Sequence, residues 1–204
     1  MEGFFEELTK YLIQKYNCHS VFLYGSYSFG DYTDESDVDI ICFSDHKTVS
    51  NDINLFKGKQ LDIWIHHTDK LNKPDDFLSV KGGKILLNQR NLAETFLLDI
   101  EAIFKKGPKK LSLEEKEFIK GWLFKMYKRT SKNDLEGNYR YYWLLKESLE
   151  IYFELKGLWY LGPKKSFRWL KENDDYAYKL FESVFQKAID PKDIEELLAY
   201  LKSI

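Results

Sequence analysis

The hydrophobic and polar positions of this chain change period along its length, and the change divides it. Residues 2–16 place Phe4, Phe5, Leu8, Tyr11, Leu12 and Tyr16 at helical spacing, one apolar face on an otherwise polar segment. A short apolar run at about 20–24 then reads as a strand. Ser26 opens a short helix, and a second strand is expected at about 38–43. A third, Gln60 to His66, alternates: Leu61, Ile63 and Ile65 on one face, Asp62 and Trp64 on the other. The turn Lys57-Gly58-Lys59 before it predicts a hairpin whose first arm is Asn54 to Phe56. A short helix from Asp69 to Leu78, a Gly82-Gly83 turn, an apolar stretch from Ile85 to Leu87 and a helix from Asn91 to Phe104 follow.

Gly107-Pro108 breaks this mixed pattern, and everything beyond it has helical period. Ser112 with Glu115 forms a capping box for a helix running to about Arg129. The polar segment Ser131 to Gly137 separates it from a helix carrying Tyr142, Leu145, Leu149, Tyr152 and Phe153, which stops at Gly157. Gly162-Pro163 precedes a short helix with Phe167 and Leu170. Asn173 or Asp174 is placed to cap the next, and Asp190-Pro191 to start the last. The reading is α+β: residues 1–106 mixed helix and strand, residues 107–204 an all-helical bundle.

Composition narrows this only a little. Lys and Arg number 31 against 33 Asp and Glu, so total charge gives no argument for nucleic-acid binding. Cys18 and Cys42 are too few for a disulfide framework. Without a signal pattern or a long apolar run, a soluble cytoplasmic protein is expected. The four histidines lack zinc spacing.

The chemistry concentrates between Val21 and Phe43: a strand, Gly25-Ser26, a ten-residue polar spacer, then Asp37-Val38-Asp39. Residues i and i+2 of a strand share a face, so Asp37 and Asp39 stand side by side while Val38 and Ile40 point inward. Crowded carboxylates repel unless a cation lies between them, and a hard cation such as Mg²⁺ takes oxygen ligands alongside phosphates. Glycine permits close backbone approach to a phosphate, and helix N-terminal amides favour anions. Neither a P-loop nor a dinucleotide-binding glycine motif is present.

This arrangement, with Gly30 and Ser36-Asp37, resembles the nucleotidyltransferase superfamily that includes DNA polymerase β, and within it the small aminoglycoside and lincosamide adenylyltransferases. The segment YFELKGLWYLGPKKSFRWLKE is similar to the helical part of those enzymes. The resemblance implies a nucleotidyltransferase-type mixed sheet with flanking helices, followed by a helical substrate-binding domain. It implies Asp37, Asp39 and Asp62 as catalytic and metal-binding carboxylates around a two-metal Mg²⁺ site, with Asp52 and Asp69 as rivals of Asp62 in poorer settings. Gly25, Ser26, Ser36, Lys164 and Lys165 are the implied contacts to ATP or another nucleoside triphosphate. The implied reaction moves a nucleoside monophosphate, AMP for choice, to a hydroxyl of a small molecule and releases pyrophosphate. An aminoglycoside acceptor, and with it antibiotic resistance, would suit the acidic residues Glu147, Glu150 and Glu154. Two other readings stay open: a transferase that modifies a protein or RNA partner in antitoxin fashion, and a nucleotide-binding module without catalysis. Some relatives place their active site across a homodimer, an arrangement the aromatic-rich helices would permit.

Overall fold

A computed structural model of the chain describes residues 2–46, 50–130, 134–186 and 191–204. The chain divides into two compact units, Met1–Lys106 and Gly107–Ile204.

The first unit is built on a five-stranded mixed sheet. Helix α1 (Glu2–Tyr16) leads into β1 (Ser20–Tyr24), a five-residue helix α2 (Gly25–Phe29), and β2 (Val38–Ser44). A hairpin of β3 (Ser50–Phe56) and β4 (Lys59–His67) follows, then β5 (Lys84–Asn88) and α3 (Ala93–Lys106). The sheet order is β3-β4-β2-β1-β5, with β2 and β4 parallel and every other pair antiparallel. The parallel pair follows from the hairpin: β3 runs out along the edge, and the turn returns β4 beside β2. Lys57 and Gly58 both have positive φ (49° and 80°) at that turn, the twist that a two-residue hairpin loop demands.

Alternation along the strands creates two cores. Val21, Leu23, Val38, Ile40 and Ile63 pack with Leu8 and Leu12 of α1 on one face. Phe22, Ile41 and Phe43 pack on the other with Phe77, Phe96 and Ile100. Both cysteines are buried and unbridged, and burial pushes the Cys42 thiol up, helped by a hydrogen bond with Cys18.

The second unit is helical: α4 (Leu113–Thr130), α5 (Leu135–Lys156), α6 (Pro163–Asn173), α7 (Asp175–Val184) and α8 (Pro191–Ser203). Ser112 and Glu115 make the expected reciprocal cap. Asp174 caps α7 through the Ala177 amide and also accepts hydrogen bonds from Tyr152 (2.7 Å) and Tyr200 (2.8 Å), tying together α5, α7 and α8.

Several expectations change in detail. The hairpin's first arm extends back to Ser50, because residues 50–56 alternate in burial as strictly as their partners. The Asp69–Leu78 helix is instead two 3₁₀ turns, Thr68–Asn72 and Pro74–Val80, since Pro74 cannot continue a helix through Lys73. Helix α5 begins at Leu135, inside the expected polar segment, because Asp134 caps it at the Gly137 amide. Of the residues named on that helix, Tyr142 is exposed. Residues 131–133 and the Asp190 cap lie outside the described residues.

Candidate active site

The site grows from the junction of β1 and α2. Strand β1 ends at Tyr24 and the chain turns at Gly25, whose φ of +65° disfavours any residue with a Cβ. The neighbour across the turn is closer still. A Cβ added to Gly25 would lie 2.0 Å from Asp39 Oδ2, so glycine is what lets the carboxylate rest against the backbone. Ser26 sits in the first turn of α2, which ends when the Gly30 amide donates to the Ser26 carbonyl at 2.9 Å.

Asp39 lies near the start of β2, flanked by Tyr24 of β1 and Asp62 of β4 as its register partners. Partners across adjacent strands share a face, so Asp39 and Asp62 stand side by side with Tyr24 next to them. Burial pushes the Tyr24 phenol pKa well up, and the negative charges of Asp39 and Asp62 push it further, which keeps the ring protonated beside the carboxylates. Asp62 is oriented by Asn51 of β3, whose amide nitrogen donates to Asp62 Oδ1 at 2.6 Å. Asp37 is exposed just ahead of β2, so it stands outside the strand that was expected to carry both aspartates.

Of the rivals to Asp62, Asp52 pairs in register with Ile63 and so faces α1, where Lys15 holds it at 2.6 Å and its carboxylate below the ordinary range. Asp69 pairs with His67 in a 3₁₀ turn. Ser36 closes the spacer loop: its hydroxyl accepts from the Thr33 amide at 2.9 Å. Lys164 and Lys165 occupy the first turn of α6, in the second unit. Also in that unit, burial raises the Glu154 carboxyl, with Glu150 and Glu115 adding to the rise.

Among the described residues, no three His, Cys, Asp or Glu side chains draw together as a metal cluster. The donor set nevertheless fits a hard divalent cation. Mg²⁺ is commonly held by one or two carboxylates and completes its shell with substrate phosphates and water. The carboxylates of Asp39 and Asp62, partners in register, and of Asp37 just ahead of β2 are donors of that kind. Sequence reasoning missed Tyr24 and Asn51. Tyr24 was signalled only by its place before Gly25, and Asn51 by an alternation that starts earlier than the turn suggested.

Residues 6–101 match the sequence profile of the family described as polymerase beta, nucleotidyltransferase. Among solved structures, the chain is similar to a nucleotidyltransferase-like protein from Exiguobacterium sibiricum 255-15. The two are 12% identical with a TM-score of 0.48, over 97% of this chain and 73% of that one. Comparison with curated proteins gave no match. No described helix is long and apolar enough to cross a membrane. The segment that is similar to this family, residues 6–101, contains Gly25, Asp37, Asp39 and Asp62 together.

Proposed function

We propose that this protein is a divalent-metal-dependent nucleotidyltransferase that moves AMP from ATP to a hydroxyl group and releases pyrophosphate. The observation that carries the reading is the registered pair Asp39 and Asp62, with Gly25 pressed against the first and Asn51 holding the second. Gly25 and Ser26 receive the triphosphate through backbone and hydroxyl contacts, and Ser36 shapes the loop that leads to Asp37. Asp37 and Asp39, joined by Asp62, would hold the Mg²⁺, which would supply charge neutralisation on the phosphates.

Asp62, oriented by Asn51, accepts the proton of the acceptor hydroxyl. The hydroxyl oxygen forms a bond to the α-phosphorus while the bond from that phosphorus to the bridging oxygen breaks, and the electron pair leaves with pyrophosphate. Little covalent work falls to the protein; positioning and electrostatics carry the reaction. The test is transfer of label from α-labelled ATP in Mg²⁺ to hydroxyl-bearing acceptors. Asp39→Asn is expected to lose at least about a hundredfold in rate while keeping its fold. Transfer at the full rate by that variant would overturn the assignment.

A further inference from the structure

The surroundings of Asp62 describe the molecule that reaches it. Asn51, Ile53 and Leu55 of β3 pair with Trp64, Asp62 and Gln60 of β4, so they share the carboxylate face. Ile53, directly opposite Asp62, is 65% exposed, Leu55 72% and Trp64 39%. An acceptor that was a bare polycation would meet an apolar wall here.

Next to the carboxylates, on the same face, lies a cavity of about 360 Å³ lined by Tyr24, Trp64, His66 and Phe77 among others. Tyr24 belongs to both places, since it neighbours Asp39 and Asp62 and also lines the cavity. The rings of Trp64 and His66 are near-parallel plates, 15° apart with centroids 6.5 Å from each other. Such faces favour a flat ring. The two ionic residues of the lining, Lys70 and Asp76, pair with each other at 3.1 Å and leave no net charge. His66 Nδ1 is buried without a hydrogen-bond partner among the described residues, a cost that a ligand heteroatom would remove.

From these observations we propose that the cavity seats a heteroaromatic ring of the acceptor, whose hydroxyl then reaches Asp62. Trp64 lies two residues beyond Asp62 on the same strand, which sets ring and hydroxyl roughly 6.7 Å apart. A nucleoside has that size and chemistry. The inference rests on the proposed transferase reading, and names the class of acceptor that reading leaves open.

Calorimetric titration of the full chain with the four ribonucleosides, without metal or triphosphate, tests it. 3-Phenyl-1-propanol serves as a ring without heteroatoms, and kanamycin as a polycation without an aromatic ring. At least one ribonucleoside is expected to bind more tightly than either control. Trp64→Ala should weaken it about 5- to 150-fold, the usual range for a lost base-stacking partner, and Trp64→Phe should restore most of the affinity. Saturation with a non-hydrolysable ATP analogue should leave nucleoside binding in place. Competitive displacement by the analogue would assign the ring to the donor and overturn the proposal. So would binding indifferent to Trp64, no ribonucleoside binding, or label transferred to kanamycin and not to nucleosides. Failure of the transferase reading shows separately: magnesium tripolyphosphate would then bind wild type and Asp39→Asn alike.

Discussion

Replacing Gly25 with alanine tests the contact on which the site depends. The new Cβ would lie 2.0 Å from Asp39 Oδ2 and 2.8 Å from its Cγ, where ordinary contact begins at 3.4 Å. The carboxylate must therefore retreat by about 1.4 Å, or the β1–α2 turn must open. Two costs separate. Holding a non-glycine residue at φ +65° costs about 1–2 kcal/mol wherever its neighbours are. Overpacking against Asp39 adds about 1–3 kcal/mol. The second cost depends on the Asp39 side chain, so a double-mutant cycle isolates it. In an Asp39→Ala background only the Cβ of residue 39 remains near, at 3.3 Å, and Gly25→Ala should then cost the backbone strain alone. Equilibrium urea unfolding of the four proteins gives the coupling, expected at about 1–3 kcal/mol. Transfer by Gly25→Ala should also fall about a hundredfold, since an ångström of misplacement at a reacting centre has that effect. Equal cost of Gly25→Ala in both backgrounds would refute the close-approach argument.

Asn51→Leu removes the hydrogen bond that orients Asp62; kcat should drop about tenfold with KM for ATP little changed, and a pure KM effect would contradict the positioning role. Asp174→Ala removes a helix cap and leaves the fully buried Tyr152 without its acceptor; urea unfolding should show a loss of about 2–4 kcal/mol. Burial raises the Asp174 carboxyl, but hydrogen bonds from Tyr152, the Ala177 amide and Tyr200, with the Lys156 charge, outweigh it and hold the group below its ordinary value. Its stabilisation is therefore complete above about pH 4, the unfolded value, and is lost as pH falls through the depressed folded value. Asp174→Asn should flatten that acid limb of the stability profile, and an unchanged limb would assign it to other carboxylates.

What could be read from the sequence was set by local rules. The Gly25-Ser26 turn and the alternation around Asp62 depend on residues a few positions apart, and the structure has both, whereas of the Asp-Val-Asp pair only Asp39 lies in the sheet. Trp64 was already placed on the Asp62 face by counting in twos. The pairing of β2 with β4 was not legible, because parallel register joins residues 23 apart, Asp39 with Asp62, and leaves no periodic trace. Asn51 was lost for the same reason: its worth lies in a cross-strand partner. Helix α5 started early because a single aspartate, Asp134, outweighed the polar look of the residues beside it. The split of the 68–80 segment turned on Pro74, a local signal that the apolar spacing obscured.

The β3–β4 hairpin has an evolutionary consequence. It carries Asp62 and its orienting Asn51 together with Ile53, Leu55 and Trp64, while Gly25 and Asp39 belong to a separate stretch of chain. One insertion-sized cassette thus encodes the proposed base and the proposed acceptor wall as a unit. Grafting a different hairpin that keeps an aspartate at position 62 would change the proposed acceptor wall while leaving Gly25 and Asp39 in place. About eighteen contiguous codons, the span from Ser50 to His67, thus hold the apolar wall, with Tyr24 and Phe77 completing the cavity from elsewhere in the chain.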